Sequence, residues 1–329
     1  MRLSALPTAA LALTLAAIPF AASHAQNAGY GTQTVDEMNK LWGRHPGLRA
    51  NHAKGVVVEG TFVPTPEAAK LSKARIFAGG SVPVTVRFSD STGLPTIPDG
   101  APSANPHGMA MEFKPPGGDP VDVVTNSLPF FPVATGEEFL ALLQAVEASG
   151  PGAPKPTQAD QFAAAHPQMP KAFSALKTPS SFARETYNGV DAFIFVNAKG
   201  ERQPFRFRFV PEAGNDYLST GDAAKQPPDF LIDELPRRLS QGAVKFRMMA
   251  QLANPGDQTR DPSQPWPADR RLVDLGEITL TKAAADNAKA QQVLRLLPNR
   301  LEPGIEVSDD PLITSRVQAY VISFGRRVQ

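Results

Sequence analysis

The 329-residue sequence contains no cysteine. Disulfides, thiolate nucleophiles and cysteine-bound metal ions are therefore excluded. Histidine is also scarce. There are five in all, and because His24 falls in an apolar N-terminal stretch, only four remain for a site: His45, His52, His107 and His166. Since HExxH is also absent, the sequence does not indicate a zinc hydrolase.

The chain lacks an excess of charge of either sign. Its 33 Lys and Arg residues and 32 Asp and Glu residues leave a formal net charge of +1. Proteins that bind nucleic acids normally carry a basic patch or stripe, so we expect no nucleic-acid partner. Hydrophobic residues make up 42% and charged residues 20%, which is typical of a packed globular core.

The N-terminus has the pattern of a secretory signal peptide. Arg2 precedes an almost wholly apolar stretch over residues 6–22, and Ser23 and Ala25 are small residues suited to cleavage before Gln26. We therefore expect a signal peptide at 1–25, a core at 26–329, export to the periplasm and no membrane association after cleavage. An uncleaved membrane anchor is the alternative, but the stretch is short for a span and contains two prolines.

Several segments read as strands by alternation or β-branched content. They are 82–88, 108–113, 120–125, 190–196, 203–210, 243–252 and 272–281. Asn197 to Gly200 is typical of a hairpin turn. Helices are predicted after Thr135, which begins a capping pattern, over 286–297, and from the Asp310-Pro311 pair to about Phe324. This mixture indicates an α+β protein around a barrel or curled sheet, with no clear internal boundary.

Six segments form an ordered set along the chain: 49–62 (RANHAKG…GTF), 86–89 (VRFS), 105–110 (NPHGMA), 126–131 (NSLPFF), 266–276 (WP…VDLG) and 308–320 (SDD…RVQAY). They resemble motifs of the haem catalase family, and more closely its minimal branch of catalase-related peroxidases. Each is a weak signal alone, but the six keep their order and together span nearly the whole chain that follows the predicted signal peptide. The resemblance implies a catalase-like antiparallel β-barrel with peripheral helices, without the C-terminal helical domain of the large catalases.

The resemblance also implies one haem b (iron protoporphyrin IX), whose iron is bound by the phenolate of Tyr320. An anionic oxygen ligand stabilises high-valent iron. Arg316 lies one helical turn before Tyr320 on the same face, where its guanidinium favours the phenolate form. Because the sequence has no CxxCH segment, a covalently attached c-type haem is excluded.

On the other face of the ring, the resemblance makes His52 the acid–base group, which moves a proton from one peroxide oxygen to the other. Ser89 would fix the histidine tautomer, Asn126 would orient the peroxide, and Phe131 would stack on the haem. Three arginines would pair with the haem propionates through their fork-shaped donor groups: Arg49, Arg87 and Arg327.

The implied activity is that of a haem-dependent peroxidase. It would reduce hydrogen peroxide or organic hydroperoxides and oxidise small organic donors, with weak or no catalase activity. Asn51 stands where catalases usually have valine, and a polar amide there would hydrogen-bond near the imidazole or to peroxide. No counterpart of the catalase helical domain follows Tyr320, so we expect an open haem channel and a monomer or homodimer.

Other functions stay open at this point. A periplasmic haem-binding protein without catalysis would need Tyr320 and Arg316 but not His52 and Asn126. A fatty-acid hydroperoxide isomerase or lyase is the second alternative, since some catalase relatives have that activity. A purely structural barrel is the third. His107 replaces a family arginine, and we interpret it as a loop residue near the barrel rim.

Overall fold

The computed structural model describes the backbone of residues 22–329 and the side chains of residues 29–329. Within this part of the chain, ten strands form one antiparallel sheet. They are β1 (Gly55–Pro64), β2 (Val82–Ser89), β3 (Gly108–Phe113), β4 (Val121–Asn126), β5 (Tyr187–Asn188), β6 (Phe193–Val196), β7 (Arg202–Pro211), β8 (Val244–Leu252), β9 (Leu272–Ala283) and β10 (Ile305–Val307).

Helices precede, interrupt and follow the strands. They are α1 (Ala22–Trp42), α2 (Pro66–Leu71), α3 (Gly136–Glu147), α4 (Gln158–Ala165), α5 (Gln168–Ser174), α6 (Thr220–Ala223), α7 (Phe230–Gln241), α8 (Asn287–Val293) and α9 (Pro311–Arg327). Most of the predicted signal peptide lies outside the described residues. The predicted cleavage point, after Ala25, falls within the first turns of α1.

The sheet closes into a barrel because β7 pairs with β8 as well as with β5. The closed ring runs β1–β2–β3–β4–β5–β7–β8–β9 and returns to β1, while β6 and β10 extend from β7. All these pairings are antiparallel. The predicted α+β fold with a barrel is therefore confirmed, and each predicted strand corresponds to an observed one.

Alternation along the strands separates a phenylalanine-rich interior from an outer face. On β3, Met109, Met111 and Phe113 are buried in the barrel core, where Phe113 meets Phe62 edge-on with ring centroids 5.4 Å apart. Ala110, between the two methionines, points the other way. It packs outside the barrel with Val57 and Val124 of the neighbouring strands and with Leu294 and Leu296. This outer face forms one wall of the candidate site.

The helix α9 begins as its sequence predicts. The Asp310 carboxylate accepts a hydrogen bond from the Leu312 amide at 2.9 Å, and Pro311 occupies the first turn. α9 packs against α1 and α3. The crossing with α1 is close, because a Cβ on Gly31 would lie 2.7 Å from the Gln318 carbonyl carbon. The two helices thus form a second wall that faces the barrel.

Candidate active site

A cavity with about 1120 Å³ of space free of protein atoms lies between the outer face of the barrel and helices α1 and α9. All nine residues that the sequence predicts for the site line this cavity. Those from the barrel side and its loops are Arg49, His52, Arg87, Ser89, Asn126 and Phe131, and those from α9 are Arg316, Tyr320 and Arg327.

One face of α9 lines this cavity. Leu312, Arg316, Tyr320, Ser323 and Arg327 recur at intervals of three or four residues and line it. A helix brings side chains at these intervals onto one face, so the RxxxY motif and Arg327, about two turns after Tyr320, reach the same space. The helix ends at Arg327, three residues later than predicted.

Arg316 connects Tyr320 to a buried carboxylate. Its Nη2 donates to the Tyr320 hydroxyl at 3.1 Å, and its Nη1 pairs with Asp191 Oδ2. Burial alone would lower the pKa of Arg316, but the negative charge of Asp191, with Tyr320, holds that pKa above its usual value. Arg316 is therefore a fixed cation beside the oxygen of Tyr320.

Three strand ends align on the opposite side of the cavity. In the register of β2, β3 and β4, Ser89 pairs with Gly108, and Gly108 pairs with Asn126. Ser89 also pairs with Gly55 of β1, three residues after His52. This row fixes where Ser89 and Asn126 lie relative to the histidine.

His52 has a backbone conformation that is unusual for its residue type, with φ of +55°. Two contacts hold it there. The Asn51 side-chain oxygen accepts from the His52 amide at 2.9 Å, and Arg87 Nη2 donates to the His52 carbonyl at 2.7 Å. Non-glycine residues in this region cost free energy and occur often at functional sites, where surrounding contacts hold them. Asn51 thus contacts the backbone of the histidine.

The His52 imidazole is oriented by Ser89, whose Oγ lies 3.1 Å from Nδ1. The other ring nitrogen, Nε2, is then the one available to a ligand. Gly108 makes this contact possible, since a Cβ there would lie 2.7 Å from Ser89 Oγ and 3.2 Å from Nδ1. Burial, followed by the nearby charge of Arg87, lowers the pKa of His52 to about 3. The imidazole is therefore neutral at neutral pH.

Asn126 and Phe131 contribute a polar group and a ring to the same cavity. The Asn126 Oδ1 accepts from the Leu128 amide at 2.9 Å, so in this orientation its Nδ2 is the group that can donate to a ligand. The Phe131 ring lies 5.5 Å from that of Phe139 on α3, which also lines the cavity.

Arg49, Arg87 and Arg327 converge on the C-terminal end of α8. Arg49 and Arg327 both donate to the Leu294 carbonyl, at 2.8 and 2.7 Å. Arg87 donates through Nε and Nη2 to the side chain of Gln291 at 3.0 and 2.7 Å. Within residues 29–329, none of the three has a carboxylate within 4.0 Å, although Arg87 and Arg327 are buried.

No carboxylate in the described part of the chain pairs with these three guanidinium groups. Burial and the other two cations hold the pKa of Arg49 well below its usual value, and burial with Arg327 lowers that of Arg87 to about 9. Burial lowers the pKa of Arg327 to about 10. Neighbouring buried cations are normally paired, so this cluster would be stabilised by a bound anion with more than one negative group.

Comparison with known proteins identifies the family. The catalase family profile matches residues 32–328, which is most of the chain. The chain belongs to the catalase family. It is 36% identical over 299 residues to a catalase-related peroxidase from Mycolicibacterium paratuberculosis, covering 90% of this chain and 94% of that protein. It is 32% identical to a catalase-related peroxidase from Synechococcus elongatus, covering 90% of this chain and 88% of the relative.

Solved catalase structures share the fold. A bacterial catalase superposes with a TM-score of 0.76 at 23% sequence identity, over 87% of this chain and 58% of the catalase. A fungal catalase gives the same TM-score at 20% identity, over 86% and 59%. The chain therefore spans little more than half the length of these larger proteins. The predicted catalase-like barrel is confirmed.

The cavity fits the haem that catalase-family proteins bind. It is lined by apolar groups from both walls, among them Val35, Met38, Ala110 and Val124. It is also lined by the three arginines that have no carboxylate partner among residues 29–329, and these suit the two propionates of a porphyrin. A phenol and an imidazole line the same cavity on α9 and on the barrel side. In residues 29–329, no cluster of three or more His, Asp or Glu side chains offers another metal site.

Sequence reasoning missed several residues of the site. Tyr30, Thr34, Val35 and Met38 line the cavity from α1, a helix that we did not predict. Asp191 and Gln291 contact predicted site residues, but they come from distant parts of the chain, and neither stands out in the sequence. A polar residue that is buried only by tertiary contacts leaves no local signal.

His107 differs from its interpretation as a rim residue. It directly precedes β3, as a loop residue, but its side chain is fully buried, with the ring edge-on to Phe182 at 5.6 Å. Its Nε2 lies 3.5 Å from the buried Asp90 carboxylate. Burial, followed by His52, lowers the pKa of His107 to about 3.

Among the described helices, none is long and apolar enough to span a bilayer.

Proposed function

We propose that this chain is a haem-dependent peroxidase, which reduces hydrogen peroxide or organic hydroperoxides and oxidises small organic electron donors. One observation carries the proposal. A single cavity is lined by His52, Ser89 and Asn126 from the barrel side and by Arg316 and Tyr320 from α9. A haem-binding protein needs only the second set, whereas peroxide cleavage uses both. The two catalase-related peroxidases similar to this chain support the same assignment.

The proposed cofactor is haem b. Tyr320 would bind the iron, Phe131 would stack on the ring, and the propionates would pair with the unpaired guanidinium groups of Arg49, Arg87 and Arg327. When bound, haem supplies the electrons that break the oxygen–oxygen bond of the peroxide. Arg316 would keep Tyr320 in its phenolate form, because it is a buried cation 3.1 Å from the hydroxyl.

His52 would carry the proton. Its pKa of about 3 leaves Nε2 unprotonated and able to take a proton from one peroxide oxygen at neutral pH. The same low pKa makes the protonated ring a strong donor to the second oxygen, which then leaves as water. Ser89 holds Nδ1 throughout, so the ring does not turn away between the two transfers.

Asn126 would hold the peroxide by a hydrogen bond from Nδ2. A neutral donor orients the peroxide without stabilising its anion too strongly, so His52 can still return the proton. Positioning of this kind contributes to the rate by fixing reacting atoms at short range.

Further parts of the proposal concern selectivity, assembly and location. We propose that donor oxidation outweighs release of dioxygen, that the protein is a monomer or homodimer, and that it is periplasmic after removal of residues 1–25. Sedimentation velocity tests the assembly, and fractionation with N-terminal sequencing tests the location. A large tetramer, or a chain that retains Met1 in the cytoplasm, would contradict these two parts.

The activity is tested by supplying hydrogen peroxide with and without an aromatic donor, while donor oxidation and oxygen release are followed together. We expect donor oxidation to dominate. His52→Ala should lower the rate of peroxide cleavage by about 100-fold or more, in line with the loss of an acid–base group. His166→Ala, at the end of α4, is the matched control and should retain the wild-type rate.

The same experiment separates the alternatives. Turnover dominated by oxygen release would contradict the peroxidase assignment. Haem binding with no peroxide cleavage in wild type or variant would indicate a carrier. Rearranged products from a fatty-acid hydroperoxide, without consumption of a donor, would indicate an isomerase or lyase.

A further inference from the structure

A second cleft opens on the outer face of the barrel, beside the cavity. It has about 920 Å³ of space free of protein atoms and lies between α8 with the segment after it and strands β1 to β3. Arg295 borders both spaces, since it lines the cleft and the cavity. We call this cleft the α8 groove, defined by Val57, Val293, Leu294, Arg295 and Phe324.

Only one short segment, residues 291–294, separates the α8 groove from the arginine cluster. On the cavity side, its backbone carbonyls at Gln291 and Leu294 accept hydrogen bonds from Arg49. On the other side, Val293 and Leu294 line the groove. A molecule in the groove therefore lies one layer of chain away from the place where haem propionates would bind.

The α8 groove combines apolar surface with an aromatic ring. Val293 is 63% exposed, the largest exposed fraction among the large hydrophobic residues that the surface presents within 29–329. The Phe324 ring, which also lines the groove, has two guanidinium groups over it, since Arg295 and Arg327 each place Cζ 4.9 Å from the ring centroid. An exposed apolar and aromatic surface of this kind favours contact with a small planar molecule over contact with water.

One cation of the groove has no counter-charge. Lys114 pairs with Glu112 at 3.0 Å, and Arg300 pairs with Glu112 and with Asp122. The acidic Glu59 pairs with Lys282, also at 3.0 Å. Among residues 29–329, Arg295 has no carboxylate within 4.0 Å. The groove thus offers a single unpaired guanidinium beside an aromatic and aliphatic surface.

We propose that the α8 groove binds the electron donor, and that the donor is an aromatic carboxylate that carries a phenol. The carboxylate pairs with Arg295, and the ring packs on the exposed side chain of Val293. This inference rests on the proposed peroxidase function and adds to it the class and place of the donor. With haem bound in the cavity, the 291–294 segment would lie between the donor and the cofactor.

The chemistry balances with peroxide as the oxidant. Each of two donor molecules loses one electron and its phenolic proton and becomes a phenoxyl radical. The two electrons and two protons, with one hydrogen peroxide, give two water molecules. The groove is open to solvent, so the phenolic proton can leave through water.

The test compares two phenolic donors that differ at one terminal group, which is a carboxylate in ferulate and an uncharged alcohol in coniferyl alcohol. Arg295→Glu should raise the KM for ferulate about tenfold relative to the KM for coniferyl alcohol, because an attraction becomes a repulsion. Lys199→Glu, in the turn between β6 and β7, makes the same charge change away from the groove and should leave this ratio as in wild type. A second measurement, the Kd of ferulate for the resting haem-loaded enzyme by calorimetry, should rise in Arg295→Glu.

Val293→Trp fills the groove at an exposed position and should raise the KM for both donors without changing the KM for peroxide. If wild type oxidises both donors and neither groove variant changes the ferulate KM or Kd, the groove assignment is overturned while the peroxidase function stands. If wild type cleaves peroxide yet oxidises neither donor, the proposed donor chemistry itself is overturned.

Discussion

Arg316 joins Tyr320 and Asp191, because one of its terminal nitrogens donates to the phenol at 3.1 Å and the other pairs with the buried carboxylate. Asp191 is 1% exposed and comes from the loop before β6. The carboxylate therefore compensates the charge of Arg316 and fixes the direction of its fork. The family motif contains the arginine and the tyrosine, but the structure adds the third member.

Replacing Asp191 by Asn should destabilise the protein by about 3–5 kcal/mol, because it leaves the buried guanidinium of Arg316 without a counter-charge. Urea denaturation at equal haem content measures this. Asp233→Asn, on the exposed side of α7, is the matched control and should change stability by less than about 0.5 kcal/mol. Equal stability of the two variants would show that Asp191 does not hold Arg316.

The arginine cluster predicts opposite effects on the haem-free and the haem-loaded protein. Arg327→Ala should lower the free energy of unfolding of the haem-free protein only slightly, because the removed side chain repels Arg49 and Arg87. It should speed haem dissociation by about tenfold or more, since a charge-assisted hydrogen bond contributes about 1.5–3 kcal/mol. Denaturation of the haem-free form and transfer of haem to a scavenging globin measure the two effects.

Arg326→Ala provides the control one residue earlier on α9. Arg326 pairs at the surface with Asp36 at 2.7 Å and does not line the cavity. Its removal should leave haem dissociation at the wild-type rate. If both variants release haem equally fast, Arg327 does not contact a propionate.

Stability should fall with decreasing pH in a way that depends on His52. Its pKa is about 3 in the folded protein, against 6.5 for an ordinary histidine. Between these values the unfolded chain binds a proton that the folded chain does not. The free energy of unfolding therefore decreases as the pH falls from about 6.5 towards 3, by up to about 1.4 kcal/mol per pH unit.

Urea denaturation at pH 7, 6 and 5 tests this with two variants. His52→Asn should show a shallower loss of stability than wild type, and His166→Asn should match wild type, so that contributions from all other groups cancel in the comparison. Parallel pH dependence in all three proteins would mean that His52 is already protonated in the folded state at these pH values.

Gly108→Ala should lower the rate of peroxide cleavage although it replaces no catalytic side chain. The added Cβ would lie 2.7 Å from Ser89 Oγ and would displace it from His52. We expect at least about a tenfold lower rate, the size that misplacement of a catalytic group can produce. Gly242→Ala has open space around its Cβ and extended backbone, so it should behave as wild type in the same stopped-flow assay.

Much of the barrel could be predicted because its strands carry their own signal. On β8, buried and partly exposed residues alternate from Val244 to Leu252, and this pattern is visible in the sequence. β1 escaped prediction because Val56, Val57 and Val58 are all buried and break the alternation. α7 contains Pro236, a residue that normally argues against a helix interior.

Helix ends and helix pairings were harder to predict. The apolar pattern of the α8 segment continues to Leu297, but the helix stops at Val293, and Leu296 has a φ of +58°. The carbonyls freed at this end bind Arg49 and Arg327, a tertiary contact that the local sequence does not reveal. α1 was hidden for a different reason, since its first residues belong to the stretch read as a signal peptide.

The site itself was found through ordered motifs rather than through any single residue. His52 and Tyr320 are 268 positions apart in the sequence, and only their shared membership of the catalase family pattern connected them. The partners that depend on packing, Asp191 and Gln291, required the structure.

The position of haem between His52 and Tyr320 can be observed in a crystal structure of the haem-loaded protein, with anomalous scattering at the iron edge. We expect one iron per chain, bonded to the Tyr320 oxygen, with His52 on the opposite side of the ring and the propionates on Arg49, Arg87 and Arg327. Iron bound to a histidine, or located outside this cavity, would contradict it.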